Sequence, residues 1–331
     1  MKHFLRTSDH DREKLEGFVE NAITAKQNAA DDKPLAGKSV ALVFFNPSLR
    51  TRASMQVGIF ELGGNPVILE PGSTSWSLEH RESVVMDGDK TEHLKEFVHV
   101  LERYVSAIGV RTFAPLRDWR TEREDPILNA FARYASVPVI NLESAMHHPC
   151  QAMADMMTIR EKLGPQRRSV LLTWAWHPKP LPMAVPNSFA LAAAQFGHDL
   201  RIAHPKGYDL DEELLAEIEQ HALASGGSVE YTNDVDDAFH GVEVVYAKSW
   251  GSRKFYGNAG DVAERAQYRD KWVVDSPKML RTSDAIFMHC LPVRRNVIVT
   301  DEVIDAAASV VIDEAENRLH IQKAIMREVI K

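Results

Sequence analysis

The segment from residue 44 to 52 combines hydroxyl and guanidinium side chains in a pattern suited to binding an anion. An apolar run ends at residue 45, and a helical pattern begins a few residues later. Between them and in the first helical turn lie Ser48, Arg50, Thr51 and Arg52. Free backbone N–H groups and the positive end of the helix dipole attract anions there, and guanidinium groups add paired hydrogen bonds. The pattern predicts a site for a phosphate or acyl phosphate; the alternative is a solvated loop with two arginines.

Other polar residues also follow apolar runs directly. The candidates at these positions are Arg111, His148, Gln151, Lys248, Cys290 and Arg318. Ligands of doubly wound sheets bind at the carboxyl ends of the strands, so we expect these side chains to converge on one crevice. No carboxylate pair and no Ser-His-Asp order accompanies them. The predicted chemistry is therefore the positioning and electrostatic stabilisation of a charged acyl or phosphoryl donor.

A zinc site built from His147, His148 and Cys150 is a second interpretation of one of these segments. Zinc needs three or four convergent ligands, and no second His/Cys pair at ligand spacing is nearby. We favour a neutral histidine and a glutamine that hydrogen-bond a carbonyl and an amide, with Pro149 beginning a helix.

Composition restricts the class of protein. A chain of 331 residues predicts about two domains. The net charge of −8 argues against a nucleic-acid or anionic membrane partner. The two cysteines, Cys150 and Cys290, lie far apart and predict no disulfide framework, which is typical of a cytoplasmic protein. No apolar stretch is long enough to span a membrane, and the N-terminus has no signal-like apolar region.

Short apolar runs alternate with amphipathic stretches along the whole chain. The runs predict strands at 40–45, 66–69, 107–110, 137–141, 169–176, 199–203, 228–231, 242–247, 285–289 and 309–312. Helices are predicted at 92–104, 151–163, 185–196 and 321–330. This alternation predicts an α/β fold of two doubly wound parallel-sheet domains, 1–150 and 151–316. We expect the C-terminal helix, within 317–331, to return to the first domain.

Several segments resemble the aspartate/ornithine transcarbamylase superfamily, and the resemblance covers essentially the whole chain. The shared segments are Ser48-Leu49-Arg50-Thr51-Arg52, Arg111, His148-Pro149-Cys150-Gln151 and His289-Cys290-Leu291-Pro292. The chain is most similar to the branch that acts on α-N-acylated ornithine, which shares Met86-Asp87-Gly88-Asp89, Trp174-Ala175-Trp176-His177-Pro178-Lys179-Pro180, Tyr246-Ala247-Lys248-Ser249-Trp250 and Glu314-Ala315-Glu316-Asn317-Arg318.

The resemblance implies a carbamoyltransferase of arginine biosynthesis. Such an enzyme is a homotrimer with active sites shared between subunits, uses no metal or organic cofactor, and binds carbamoyl phosphate first. The implied donor-binding residues are Ser48, Leu49, Arg50, Thr51, Arg111, His148, Gln151, Cys290, Leu291 and Arg318, with Trp76 supplied by a neighbouring subunit. Arg111, His148 and Cys290 are the implied catalytic residues. The implied acceptor-binding residues are Thr91, Glu143, Asn187, Lys248 and Leu291.

Positions at which this chain differs from other family members indicate which acceptor it would use. In ornithine carbamoyltransferases, an Asp near a Ser-Met-Gly segment recognises the free α-amino group, and in this chain Lys248 lies at the corresponding position. A lysine repels an α-ammonium but attracts an α-carboxylate. Thr91 replaces a glutamate, and Ile298 replaces a lysine, of acetylornithine members; both changes favour N-succinyl-L-ornithine. The segment 314–324 is more similar to the acetyl branch. Plain ornithine carbamoylation and a non-catalytic phosphate- or metabolite-binding protein remain the alternatives.

Overall fold

The computed structural model describes residues 3–28 and 32–331. Its first half is built on a four-stranded parallel sheet with strand order β2-β1-β5-β6. The elements of this half are α1 (Arg12–Gln27), β1 (Ser39–Phe44), α2 (Leu49–Glu61), β2 (Asn65–Leu69), β3 (Leu78–Glu79), β4 (Glu92–His93), α3 (Leu94–Leu101), β5 (Ala107–Arg111), α4 (Trp119–Glu122), α5 (Pro126–Tyr134) and β6 (Val139–Glu143). A separate small sheet pairs β3 with β4.

The second half is built on a five-stranded parallel sheet with strand order β11-β10-β7-β8-β9. Its elements are α6 (Pro149–Leu163), β7 (Ser169–Trp174), α7 (Ala184–Gln195), β8 (Asp199–Ala203), α8 (Glu212–Ser225), β9 (Ser228–Thr232), α9 (Val235–Ala238), β10 (Val244–Lys248), α10 (Gly260–Ala266), α11 (Ser276–Met279), β11 (Ile286–Met288), α12 (Asp301–Ile304) and α13 (Val311–Val329). Two short 3₁₀ turns lie at Thr7–Asp9 and Arg253–Phe255.

The central strands are buried on both faces, as their continuous apolar runs predict. In β1 and β7 every residue after the first serine is buried. Gly109 in β5 lets its neighbours pack closely, since a Cβ there would lie 2.8 Å from Leu142 Cδ1. Parallel strands need crossover connections, and helices supply them on both faces. The predicted α/β class with two parallel sheets is confirmed.

The predicted strand at 309–312 is wrong. Ser309 makes an isolated bridge to Phe287, and α13 already begins at Val311. The apolar run is short, and such a run does not distinguish a buried strand from a buried helix start. Val310 and Val311 are buried whereas Ile312 is 73 % exposed, because the helix turns that residue away from the core.

The long C-terminal helix packs back onto the first half. α13 contacts α1, α2 and α6, as predicted for a returning helix, although it begins ten residues before the predicted 321. Its buried face carries polar residues as well as apolar ones: Glu314, Asn317, Arg318 and Gln322. α6 runs without a break across residue 150, where the sequence predicts the domain boundary. No helix in the described ranges is long and apolar enough to cross a membrane.

Candidate active site

The carboxyl ends of both sheets face one cavity of about 540 Å³. Most of the residues predicted for the site lie in its wall: Ser48, Arg50, Thr51, Arg111, Glu143, His148, Gln151, Lys248, Cys290, Leu291 and Arg318. They come from α2, β5, β6, α6, β10, α13 and the loop after β11. The sequence-derived expectation that separate strand ends converge is therefore met for these residues.

The N-terminus of α2 forms one wall of the cavity. Ser48 is the N-cap, and its Oγ accepts a hydrogen bond of 3.3 Å from the Thr51 N–H. The Thr51 hydroxyl in turn accepts a bond of 2.6 Å from Arg318 Nη2, which ties α13 to this helix start. The N–H groups of Leu49 and Arg50 at the start of the helix have no intrahelical acceptor, so they are available to an anion.

Arg111, Glu143 and His148 form a buried charged group beside the helix terminus. The Arg111 guanidinium is ion-paired with the Glu143 carboxylate, and His148 Nε2 lies 3.5 Å from that carboxylate. Glu143 has a φ of 152°, a backbone conformation that a residue with a side chain rarely adopts. Its N–H donates to Asn141 Oδ1 at 3.0 Å, which helps to hold this conformation.

Burial keeps His148 and Cys290 neutral. Desolvation, reinforced by the charges of Arg318 and Arg111, holds the pKa of His148 well below its usual value. Desolvation also raises the pKa of the Cys290 thiol to about 11. At neutral pH the imidazole is therefore uncharged and the thiol is not a thiolate nucleophile. Both groups are suited to hydrogen bonding with a carbonyl or amide rather than to covalent chemistry.

A buried hydrogen-bond network supports the part of the wall formed by Gln151 and Leu291. Gln151 Nε2 donates to Asp155 Oδ1 at 2.8 Å and to Glu314 Oε1 at 3.1 Å. The other oxygen of Glu314 accepts from the His289 N–H at 2.9 Å, and His289 Nδ1 accepts from the Leu291 N–H at 2.8 Å. The loop after β11 is thereby connected to α6 and α13.

The cavity wall also contains basic groups from the second half that the sequence reasoning did not assign. Arg294 and His177 line the cavity with Lys248, and Arg294 Nε donates to His177 Nε2 at 3.1 Å. Two consecutive arginines after a strand were visible in the sequence, but their directions were not. Arg295 turns to the surface and pairs with Asp301 and Asp305.

Four predicted residues lie outside the wall of this cavity: Leu49, Trp76, Thr91 and Asn187. The Leu49 side chain is 79 % exposed, so only its backbone belongs to the helix terminus. Trp76 is also exposed, and its Nε1 donates to Glu92 in the β3–β4 region. Asn187 is fully buried and donates to the Met146 carbonyl at 3.1 Å. Arg52, one of the two guanidinium groups of the first motif, pairs with Glu70 instead.

The charges in the cavity wall are unequally compensated. Arg111 is paired with Glu143, whereas Arg50, Lys248, Arg294 and Arg318 make no ion pair with any residue that the structure describes. Within the same residues, no group of three or more His, Cys, Asp or Glu side chains is arranged to hold a metal ion. Uncompensated cations in a shared cavity favour an anionic ligand.

Two family models match the chain. Residues 2–161 match the carbamoyl-P binding domain of aspartate/ornithine carbamoyltransferase, and residues 183–329 match the Asp/Orn binding domain. The chain belongs to this family. It is a carbamoyltransferase.

Among the proteins similar to this chain are carbamoyltransferases named for acylated ornithines. The chain is 46 % identical to an N-acetylornithine carbamoyltransferase of Xanthomonas axonopodis pv. citri over 98 % of this chain and 96 % of the relative. It is 41 % identical to an N-succinylornithine carbamoyltransferase of Bacteroides thetaiotaomicron over 89 % and 88 %. The crystal structure of an acetylornithine transcarbamylase complexed with acetylcitrulline matches with a TM-score of 0.97 at 46 % identity, covering 100 % of both chains.

Proposed function

We propose that this carbamoyltransferase moves the carbamoyl group of carbamoyl phosphate to the δ-amine of an α-N-acylated L-ornithine, with N-succinyl-L-ornithine preferred to N-acetyl-L-ornithine. The observation that carries the proposal is the set of unpaired cations around one cavity, Arg50, Arg318, Lys248 and Arg294. Arg50 and Arg318 lie beside the helix terminus, whereas Lys248 and Arg294 come from β10 and the loop after β11 in the second half. This distribution suits a doubly charged donor at one end and an acceptor with carboxylates at the other.

The donor end would bind the phosphate through Ser48, the backbone of Leu49, Arg50 and Thr51. In the reaction the neutral δ-amine attacks the carbonyl carbon, a C–N bond forms, and the C–O bond to phosphate breaks. Negative charge develops on the carbonyl oxygen, where Arg111 and neutral His148 stabilise it. Each such preorganised donor contributes roughly 2.7–4 kcal/mol. The departing phosphate accepts the amine proton, so no separate protein base is required.

The acceptor end favours a blocked α-amine. Lys248 Nζ has no carboxylate partner among the described residues and would attract the acceptor's α-carboxylate. A free α-ammonium would be repelled by Lys248 and by the nearby Arg294. Glu143, once Arg111 engages the donor, is placed to contact the attacking amine. Asn187 lies behind this wall, so we assign it an indirect role through the Met146 carbonyl.

We assign the acyl group of the acceptor from the residues at two positions, Thr91 and Ile298. Variants of N-acetyl-L-ornithine transcarbamylase with one glutamate replaced by alanine, proline, valine or serine have been crystallised with carbamyl phosphate and N-succinyl-L-norvaline. By resemblance, Thr91 occupies the position of that glutamate and lacks its charge. Ile298, which lines the cavity, replaces a lysine. Both changes support succinyl, although identity over the whole chain is slightly higher to acetylornithine relatives.

We further propose a homotrimer in which Trp76 and Thr91 enter the cavity of a neighbouring subunit. Both lie outside the cavity of their own chain. Leu49, Val57 and Phe60 are 79 %, 45 % and 75 % exposed and lie on one face of α2. An exposed apolar stripe next to an exposed tryptophan is typical of a protein–protein interface. Light scattering of the purified chain would give the oligomeric state.

A parallel assay of ornithine, N-acetylornithine and N-succinylornithine, each with carbamoyl phosphate, tests the proposal. We expect kcat/KM to be highest with the succinyl compound, lower with the acetyl compound and lowest with ornithine. A preference for ornithine would contradict the role of Lys248. Carbamoyl phosphate binding without turnover of any acceptor would favour the non-catalytic alternative.

A further inference from the structure

The side-chain amide of Gln151 is held in one orientation by two buried carboxyl groups. Its Nε2 donates to Asp155 Oδ1 and to Glu314 Oε1, so both N–H bonds are used within the protein. Its Oε1 is buried and has no hydrogen-bond partner among the described residues, and Gln151 lines the cavity. The amide therefore has a free acceptor and no free donor.

The two carboxyl groups belong to different helices and contact each other. Asp155 of α6 and Glu314 of α13 are both fully buried. Burial raises the pKa of both carboxyl groups above the ordinary value, and the charge of Asp155 raises the pKa of Glu314 further. Two carboxylates in contact in a buried site do not both ionise, so the pair holds one proton. Tyr246 faces the pair from β10, and Arg318 favours its remaining charge.

The hydrogen bonds indicate where the shared proton lies. Both oxygens of Glu314 accept from N–H groups, one from Gln151 and one from the His289 backbone. Asp155 Oδ1 accepts from Gln151, but its Oδ2 receives no hydrogen bond from the described residues. A proton shared between Asp155 Oδ2 and Glu314, whose pKa is the more strongly raised of the two, supplies the missing hydrogen bond.

We propose that Asp155 and Glu314 are a positioning pair that shares one proton, fixes the Gln151 amide oxygen toward the donor, and so makes the site select an acyl phosphate that carries an NH₂ group on its carbonyl. The inference rests on the carbamoyl transfer proposed above. Carbamoyl phosphate donates an N–H to the oxygen, whereas acetyl phosphate presents a methyl group and leaves that buried oxygen unpaired. An unpaired buried acceptor weakens binding by about tenfold or more.

The experiment measures dissociation constants of carbamoyl phosphate, acetyl phosphate and inorganic phosphate without any acceptor. In Asp155→Ala we expect the preference for carbamoyl over acetyl phosphate to fall about tenfold, while phosphate binding stays close to wild type. Asp155→Asn should retain the preference, because it offers an oxygen to Gln151 and an N–H to Glu314. Glu314→Gln should lose it, because one amide cannot accept from both Gln151 and His289.

Asn317→Ala is the matched control. Asn317 joins the same two helices through Thr158 Oγ1 at 2.9 Å and does not contact Gln151. We expect it to destabilise the fold and leave the donor preference unchanged. An unchanged preference in Asp155→Ala would overturn the positioning role. Equal preferences in Asp155→Asn and Glu314→Gln would overturn it as well. If the alanine variant does not fold, the comparison of Asp155→Asn with Glu314→Gln decides. Wild-type protein that binds no carbamoyl phosphate would overturn the proposed function as well.

Discussion

The donor end and the acceptor end of the cavity are built differently. At the donor end the polar groups are buried and connected: Thr51 to Arg318, Arg111 to Glu143, and Gln151 to Asp155 and Glu314. At the acceptor end Lys248 has no carboxylate partner among the described residues, and Arg294 is exposed and bonded to His177. Thr91, one of the two residues assigned to the acyl group, lies directly before β4.

This difference implies that the donor end carries out the reaction and the acceptor end determines which substrate is used. A buried, hydrogen-bonded frame fixes a few charges with little freedom, which suits a reaction that depends on electrostatic preorganisation. Exposed loop residues are replaced at little cost in packing, so the acceptor can change while the donor chemistry stays. Substitutions at the donor end should therefore abolish the reaction, and substitutions at the acceptor end should redirect it.

Arg111→Ala gives the largest expected effect. It removes a guanidinium from the reacting carbonyl and leaves Glu143 without its partner, so kcat should fall by about a hundredfold to a thousandfold. Steady-state kinetics measure this change, and a thermal melt checks that the variant is folded. Arg52→Ala is the matched control, because Arg52 pairs with Glu70 outside the cavity. Retained activity in Arg111→Ala, or an equal loss in the control, would remove Arg111 from the reaction.

Lys248→Ala should act on the acceptor alone. The loss of a charge-assisted hydrogen bond of about 1.5–3 kcal/mol would raise the KM of the acylated acceptor by about tenfold to a hundredfold. The KM of carbamoyl phosphate should change little, because Lys248 is assigned to the acceptor's α-carboxylate and not to the donor. Initial-rate measurements with each substrate varied in turn make the comparison. Equal losses for both substrates would mean that the two ends are not separate.

The sequence predicts the donor end well because its signals are local. Apolar runs identify parallel strands, and the residues after them, such as Arg111 and Lys248, must lie at one edge of a sheet. Two errors have physical causes. Residues 309–312 are equally compatible with a strand and a helix start, and tertiary packing decides for the helix. Arg52 has the right spacing, but a carboxylate brought close by the fold, Glu70, pairs with it.

The acceptor end is harder to predict because its residues depend on long-range contacts. Nothing in the sequence indicates that Arg294 faces the cavity while Arg295 pairs with Asp301 and Asp305. The buried network of Gln151 joins helices that are 163 residues apart in the chain. In the proposed trimer, the positions of Trp76 and Thr91 relative to a substrate depend on a neighbouring subunit, which the sequence of one chain does not place.

Thr91→Glu should redirect the enzyme from succinyl- to acetylornithine. A glutamate at this position would repel the second carboxylate of a succinyl group, and we expect the ratio of kcat/KM values for the two acceptors to shift by about tenfold. Competition assays with both acceptors measure the ratio directly. Thr91→Gln is the matched control, since it has the same size without the charge. A similar shift in both variants would indicate a steric effect, and no shift in either would contradict the placement of Thr91.

The smallest expected effect is on the stability of the fold and concerns Asp125, which lies behind the donor end. Asp125 accepts hydrogen bonds from Ser144 Oγ at 2.7 Å and the Ala145 N–H at 2.7 Å, in the loop between Glu143 and His148. Burial raises the pKa of its carboxyl group from 3.8 to about 6. The folded state therefore binds more protons than the unfolded state between these values, and stability falls as the pH rises through this window.

Asp125→Asn removes this titration and keeps an oxygen for the backbone N–H groups. The difference in unfolding free energy between wild type and variant should shift by up to about 3 kcal/mol in favour of the variant between pH 4 and pH 7. Urea titrations at several pH values measure the difference, and comparing the two proteins cancels the opposite pH dependence of exposed ion pairs. A difference that is constant with pH would show that Asp125 is ionised throughout and that its hydrogen bonds outweigh its burial.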